Sequence, residues 1–256
     1  MKYIAVIDSG LGGITVVKKL TEIFKNENII FFGDTKNMPY GTKDLDKIRE
    51  LVKEDIIFLN SFDLKALVIG CNTIEATSKQ LVESLCNCPT YGVIRPACLK
   101  ASAITKNNNI GILATKATVD SNKYKEELLN INPNINVYQS ASINLANLIE
   151  RNDFDESSKE IENELTISLQ PLMGNNIDTL ILGCTHYKLV ANAINRLMPN
   201  INIVSSSDEV VYQLNIESTN SNKGDIKFYV SSNPQEAKDK INRLYPNFVD
   251  SINLKD

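Results

Sequence analysis

One short pattern occurs twice in this chain, and it constrains the fold more than any other feature. A strand-like run over residues 64–69 leads into Gly70-Cys71, and a second run over residues 177–182 leads into Gly183-Cys184. In both copies small polar residues follow the cysteine, and a stretch of helical period follows them. A buried strand that leads into a helix is the repeating unit of a parallel α/β sheet. The repetition therefore predicts two similar halves, each with one thiol at the end of a strand.

Short runs rich in Ile, Val and Phe alternate with helical stretches along the rest of the chain, which favours a parallel α/β fold. Strands are predicted in two series of the same order: residues 3–7, 29–32, 66–69 and 91–94, then residues 110–113, 135–139, 179–182 and 201–204.

The C-terminal tail has no counterpart between the two series. Its polar, turn-rich segment at residues 215–224 predicts a loop. One more strand at 226–230 and one more helix at 233–244 are predicted after it, and we expect them to pack on the first half. The predicted domains are residues 1–95 plus 208–256, which carry Cys71, and residues 96–207, which carry Cys184.

Composition narrows the class of partner. The chain has 256 residues, 43% apolar and 23% charged, which is ordinary for a globular protein. A net charge of −4 gives no basic footprint for nucleic acid or an anionic membrane. No apolar run is long enough to span a bilayer, and the N-terminus enters a strand without a signal-peptide pattern. We expect a cytoplasmic protein whose partner is a small molecule.

Cysteine usage argues against a disulfide framework and against a metal site. The five cysteines are Cys71, Cys86, Cys88, Cys98 and Cys184. An odd number does not suit a set of disulfides. A zinc site from Cys71, Cys184 and His186 would lack the usual paired ligand spacing, so no metal is predicted. The other three cysteines are interpreted as small buried or loop residues.

Small polar residues collect where the predicted strands end, which is where parallel sheets bind ligands. The segments concerned are 8–13, 33–35, 39–41, 71–73 and 184–186. They supply hydroxyls, amides and glycines, with helix N-termini behind them and little Lys or Arg. A small carboxylate fits such a site better than a polyphosphate.

Cys71 and Cys184 are the sharpest candidates for chemistry. Two matched thiols can flank one carbon atom, one removing a proton as thiolate and the other returning a proton to the opposite face. A position just before a helix predicts a lowered thiol pKa. The alternative is that both are inert strand-end cysteines.

Two further residues have competing interpretations. Asp8 either tunes one thiol or caps the helix that begins near Gly12. His186, two residues beyond Cys184, is predicted to support proton transfer or to contact substrate rather than merely to pack.

With these residues in place, the chain resembles the glutamate racemases of the cofactor-independent aspartate/glutamate racemase superfamily over most of its length. The resemblance is carried by four segments: Asp8-Ser9-Gly10-Leu11-Gly12-Gly13-Ile14-Thr15-Val16, Gly33-Asp34-Thr35 with Pro39-Tyr40-Gly41, Cys71-Asn72-Thr73, and Leu182-Gly183-Cys184-Thr185-His186-Tyr187.

The resemblance implies an α/β fold of two pseudo-symmetric doubly wound domains with mainly parallel sheets and the active site between them. It implies interconversion of L- and D-glutamate without a cofactor, with D-glutamate passing to peptidoglycan synthesis. Cys71 would exchange the α-proton of D-glutamate with support from Asp8. Cys184 would exchange that of L-glutamate with support from His186 and Glu150. The implied substrate-binding residues are Asp8, Ser9, Tyr40, Gly41, Asn72, Thr73, Thr185 and His186.

Two alternatives stay open: a racemase for aspartate or a related carboxylate, and a non-catalytic two-lobed amino-acid-binding protein. A homodimer is also open, because one chain does not reveal a self-complementary surface. Glu75 and Lys188 depart from the family pattern. Glu75, one turn after Cys71, would repel a carboxylate substrate if it faced one.

Overall fold

The structure is a computed structural model that describes residues 2–152, 154–216 and 223–255. Residues 217–222, most of the predicted loop at 215–224, lie outside the described residues.

Strands and helices alternate along the described chain. The strands are β1 (Tyr3–Asp8), β2 (Asn28–Gly33), β3 (Leu64–Ile69), β4 (Thr90–Gly92), β5 (Asn109–Thr115), β6 (Asn136–Ser142), β7 (Thr179–Gly183), β8 (Asn202–Ser205), β9 (Ile226–Val230) and β10 (Asn253–Leu254). The α-helices are α1 (Ile14–Ile23), α2 (Leu45–Leu59), α3 (Asn72–Leu85), α4 (Ile94–Ile104), α5 (Lys116–Asp120), α6 (Lys123–Ile131), α7 (Leu145–Arg151), α8 (Lys159–Leu169), α9 (Ala191–Leu197), α10 (Ser206–Glu209) and α11 (Pro234–Leu244). Short 3-10 helices are Tyr40–Thr42, Thr185–Val190 and Val210–Gln213.

The strands form two parallel sheets with the same internal order. The first runs β10-β9-β2-β1-β3-β4 and the second runs β6-β5-β7-β8. The core order β2-β1-β3-β4 thus recurs as β6-β5-β7-β8, with every pairing parallel. Cys71 follows β3 and Cys184 follows β7, the equivalent strands of the two sheets. The predicted α/β class with two mainly parallel sheets is confirmed.

Burial explains why the inner strands are so apolar. All six residues of β1 are buried, as expected where helices cover both faces of a parallel sheet. Alternate side chains enter different cores, because strand side chains alternate in direction. Ile4 and Val6 join a core that continues into the second sheet through Ile112 and Ile181. The shared core holds the two sheets against one another.

The tail contributes to the first sheet. β9 pairs with β2, and β10 pairs with β9. The predicted domain limits at residues 95 and 208 stay a prediction; α4 runs across the first of them. Among the described residues no helix combines the length and apolar character that crossing a bilayer requires.

Candidate active site

Loops from both sheets enclose one small cavity at the carboxyl ends of the strands. Its lining residues are Ser9, Met38, Pro39, Tyr40, Gly41, Cys71, Asn72, Thr73, Thr115, Ala146, Cys184, Thr185 and His186. The cavity measures about 20 Å³, which is room for about one water molecule. Both predicted thiols therefore border the same enclosed space.

Cys71 lies between β3 and α3 and is 6% exposed. Its sulfur is 3.3 Å from the Ser9 hydroxyl oxygen. Burial and the nearby Asp8 carboxylate raise the pKa of the Cys71 thiol to about 12, although hydrogen bonds from Ser9 and the Ile74 backbone oppose that rise. The predicted lowering of this pKa by the helix N-terminus is wrong for Cys71, because desolvation outweighs the helix dipole.

Cys184 has a different neighbour. Its sulfur lies 3.7 Å from His186 Nδ1, and His186 Nε2 lies 2.5 Å from Glu150 Oε1. Burial alone would lower the pKa of His186, but hydrogen bonds to Cys184 and Glu150 and the charges of both raise it well above its ordinary value. Glu150 is fixed in turn by the Leu11 backbone N–H, which donates to its Oε1 over 2.8 Å.

Asp8 is fully buried and links the two halves of the site. It accepts the Gly10 backbone N–H over 2.7 Å and the Thr185 hydroxyl over 3.0 Å. Burial raises the pKa of Asp8 to about 6, with the charge of His186 acting in the opposite direction. The capping interpretation is wrong: α1 begins after Gly13 without any side-chain cap.

Tyr40 and Gly41 reach the cavity on the loop after β2. The Tyr40 hydroxyl donates to Asp34 over 2.5 Å and lies 3.0 Å from Asp55. That hydroxyl is held within the first half, so it is the main chain of this loop that is available to a ligand. Gly41 packs against Thr115 at the end of β5.

Asn72 and Thr73 begin α3 and meet residues of the second half. The Asn72 amide donates to Ser206 over 3.0 Å and accepts from the Tyr124 hydroxyl over 2.5 Å. The Thr73 hydroxyl lies 2.9 Å from that of Thr115.

Thr115 is the cavity residue that sequence reasoning missed most clearly. It ends β5, the position that Asp8 occupies in β1. The sequence could have indicated Thr115, because parallel sheets bind ligands at the carboxyl ends of their strands. Asp8 was selected on that ground, and Thr115 holds the equivalent position in the second series of strands.

The two departures from the family pattern face away from the cavity. Glu75 is buried, but its carboxylate accepts the Ile94 backbone N–H over 2.8 Å and lies 3.3 Å from Lys79 Nζ. Lys188 pairs with Asp208. Neither residue lines the cavity, so the concern about repulsion by Glu75 does not apply. Within residues 2–152, 154–216 and 223–255 no cluster of three or more His, Cys, Asp or Glu could hold a metal ion.

Comparison with known proteins shows to which class of protein this chain belongs. The family model described as Asp/Glu/Hydantoin racemase matches residues 4–214. The chain is similar to the glutamate racemase of Neisseria meningitidis, with 39% identity over 90% of this chain and 88% of that protein.

Two solved structures of glutamate racemases are also similar to this chain. One is a glutamate racemase from Bacillus anthracis, with a TM-score of 0.91 and 31% identity over 99% of this chain and 96% of that chain. The other is the Francisella tularensis glutamate racemase in complex with D-glutamate, with a TM-score of 0.86 and 30% identity over 99% and 96%. The chain belongs to the Asp/Glu/hydantoin racemase family. It is therefore an isomerase, an amino-acid racemase.

Proposed function

We propose that this protein interconverts L- and D-glutamate by cofactor-independent proton transfer between two cysteines, and that its D-glutamate supplies peptidoglycan synthesis. The observation that carries the proposal is the placement of Cys71 and Cys184, from equivalent strand ends of two sheets, on one enclosed cavity. Glutamate is favoured as substrate because relatives that match nearly the whole chain are glutamate racemases.

The proposed reaction uses one thiol on each face of the α-carbon. A Cys184 thiolate removes the α-proton of L-glutamate while the Cys71 thiol donates a proton to the opposite face, which gives D-glutamate. The reverse reaction exchanges the two roles. Electrons released from the C–H bond spread into the α-carboxylate, so the site must stabilise the charge that develops there.

The unequal surroundings of the thiols support this assignment. Burial and Asp8 keep Cys71 protonated at neutral pH, as a proton donor must be. His186 is held as an imidazolium between Cys184 and Glu150. The His186 ring lies 3.7 Å from the Cys184 sulfur, so in this proposal His186 supports Cys184 as that residue exchanges the α-proton of L-glutamate.

The remaining cavity residues suit a zwitterionic amino acid. Hydroxyls of Ser9, Thr73 and Thr185 and the amide of Asn72 surround the thiols, and the buried Asp8 carboxylate lies behind them, where it accepts the Thr185 hydroxyl. Enclosure excludes water, which strengthens each of these electrostatic contacts.

Deuterium exchange tests the proposal directly. Each glutamate enantiomer is incubated with the enzyme in D2O without added cofactor, and deuterium at the α-carbon is followed by NMR with racemisation followed by circular dichroism. We expect exchange with both enantiomers. Cys71→Ala and Cys184→Ala should each lower racemisation by a factor on the order of 10² to 10⁴, the usual contribution of an acid–base group.

Cys98→Ala is the matched control, because Cys98 is buried in α4 and does not line the cavity. It should racemise normally. Unchanged racemisation in either Cys71→Ala or Cys184→Ala would rule out the two-thiol mechanism. Exchange with aspartate but not glutamate would instead indicate an aspartate racemase, and binding of glutamate without any exchange would indicate a non-catalytic binding protein.

A further inference from the structure

A second pair of thiols lies outside the active site, where α3 ends. Cys86 directly follows the last residue of α3, and Cys88 is two residues further on. Their sulfur atoms are 3.3 Å apart. Both side chains are partly exposed, whereas Cys71, Cys98 and Cys184 are buried.

The two sulfurs are chemically unequal. A hydrogen bond from the Cys88 thiol lowers the pKa of Cys86 to about 7; burial opposes this effect, and the backbone N–H groups of Cys88 and Asn87 reinforce it. The same hydrogen bond raises the pKa of Cys88 well above its ordinary value, with burial and the charge on Cys86 adding to the rise. The lowered pKa of Cys86 favours a thiolate on that sulfur, with the Cys88 thiol 3.3 Å away as its hydrogen-bond partner.

A partly exposed thiolate with a second thiol in contact is the arrangement found in redox-reactive cysteine pairs. We propose that Cys86 and Cys88 form a peroxide-reactive dithiol that closes to an intramolecular disulfide while the catalytic thiols stay reduced. This inference concerns a different part of the molecule and does not depend on the proposed racemase reaction.

The chemistry balances with a hydroperoxide as the oxidant. The Cys86 thiolate attacks the O–O bond, forming an S–O bond and releasing hydroxide, which takes up the proton of Cys88 as water. The Cys88 thiolate then attacks the Cys86 sulfur, forming the S–S bond and expelling the sulfenic oxygen as hydroxide, which takes a proton from solvent, the equivalent of the one that Cys86 released on ionising. Two thiols lose two electrons and one hydrogen peroxide gains them. Once Cys86 is oxidised, it no longer carries the charge that held the proton on Cys88.

Distance separates this pair from the active site. α3 has 14 residues between Cys71 and Cys86, and at 1.5 Å per residue it spans about 20 Å. Peroxide from solvent meets Cys86 without entering the cavity, whereas Cys71 and Cys184 are only 6% and 8% exposed. The order of oxidation should therefore follow exposure and thiolate character.

Peptide mass mapping tests the proposal on the full, reduced protein. One equivalent of hydrogen peroxide should remove two hydrogens from the peptide that contains both Cys86 and Cys88. Cys71, Cys98 and Cys184 should still react with an alkylating reagent after unfolding. Cys86 should be consumed at least about tenfold faster than buried Cys98, since thiolate content and access control the rate.

Three variants separate the roles within the pair, and melting curves check that each is folded. Cys88→Ser should stop at a Cys86 sulfenic acid that dimedone traps, Cys86→Ser should form no local disulfide, and the control Cys98→Ser should behave as the parent protein. Oxidation of Cys71 or Cys184 before Cys86, or failure of Cys88→Ser to yield the dimedone adduct, would overturn the proposal. Because the readout is mass rather than racemisation, its failure is distinct from a failure of the proposed function.

Discussion

At the scale of single residues, the two catalytic candidates differ in what stands beside them rather than in their backbone setting. Both follow an equivalent strand and a glycine, yet Cys71 meets a hydroxyl and a carboxylate while Cys184 meets an imidazole. A carboxylate beside a thiol raises the pKa of that thiol, and this effect is present at Cys71. The same scaffold thus gives the two thiols different neighbours, as the proposed exchange of one proton on each face requires.

Glu150→Gln tests the charge on the Cys184 side. Glutamine keeps an oxygen that can accept from Leu11 and His186, but it removes the negative charge that helps to hold His186 protonated. The pKa of His186 should fall, so the imidazolium is lost at a lower pH. We expect the alkaline limb of the pH profile of kcat/KM to move to lower pH and the rate to fall on the order of tenfold or more.

Glu164→Gln is the matched control for that change. Glu164 lies in the same half and accepts the Ser142 hydroxyl over 2.6 Å, whereas Glu150 is bonded to His186. Its pH profile should match the parent enzyme. A Glu150→Gln profile that also matches the parent would show that the charge of Glu150 has no part in the reaction.

At the scale of elements, a buried polar network ties the loop after β2 to α2 and to the C-terminal tail. Tyr40 contacts both Asp34 and Asp55, and Asp55 accepts from Lys255 Nζ over 2.9 Å. Tyr40 has one proton to donate and cannot serve two carboxylates with it. A proton on Asp55 completes the second contact, in agreement with a pKa of about 7 that burial and the charge of Asp34 produce.

Asp55→Asn should change how stability depends on pH. The folded-state pKa of Asp55 lies above its ordinary value of 3.8. Its stabilising contribution is therefore complete below about pH 4 and is lost as the pH rises toward 7. The rise of the Asp55 pKa from 3.8 to about 7 corresponds to about 4 kcal/mol in the free energy of unfolding. Chemical denaturation should thus find the variant more destabilised, relative to the parent, at pH 4 than at pH 8.

Glu54→Gln provides the comparison for Asp55→Asn, because Glu54 is the preceding, exposed residue of the same helix. Its effect on the free energy of unfolding should be small, because the Glu54 side chain is exposed. A constant difference between parent and Asp55→Asn across the range would contradict the network as described.

The loop between β1 and α1 packs directly on the start of the Thr185–Val190 helix, and Gly12 permits that approach. A Cβ atom on Gly12 would lie 2.5 Å from both His186 Nδ1 and Thr185 Oγ1. Gly12→Ala should force these two elements apart and lower the free energy of unfolding by about 1–3 kcal/mol. It should also lower racemase activity more than about tenfold, because His186 would be misplaced.

Gly174→Ala is the control for Gly12→Ala, because it distinguishes a loss of stability from a disturbance of the active-site geometry. Gly174 has a φ of 86°, and a Cβ there would have no atom within 4 Å. Alanine should cost on the order of 1 kcal/mol through backbone strain and leave the activity unchanged. Equal losses of activity in the two glycine variants would show that Gly12 acts through stability alone.

At the scale of the whole molecule, two matched series of strands along the chain were predictable from the sequence, and the contacts between the two halves were not. The Gly-Cys repeat and the strand period are local signals, so they led to two matched sheets. The partners of Asn72, which are Tyr124 and Ser206, lie 52 and 134 residues away in the sequence and leave no local pattern. The raised pKa of Cys71 was missed for the same reason, because burial is a property of the assembled site.

The cavity is too small for the proposed substrate. A space of about 20 Å³ holds about one water molecule, so the cavity must widen before an amino acid enters, and we expect it to widen by separation of the two halves. The contact from the Leu11 N–H in the β1–α1 loop to Glu150 in α7 crosses the gap. Opening must break that hydrogen bond, whereas those inside β1 survive.

Hydrogen exchange can follow that opening at Leu11. If the two halves close again around bound glutamate and restore the Leu11–Glu150 hydrogen bond, a ligand at 100 times its Kd stabilises that closed form by about 2.7 kcal/mol. The Leu11 amide should then exchange about 100-fold more slowly with glutamate than without it. The amide of Val6, in the middle of β1, should hardly change, because its exchange needs the sheet itself to unfold. Equal slowing at both positions would indicate general stabilisation by the ligand, and no slowing at Leu11 would show that substrate reaches the thiols without separation of the two halves.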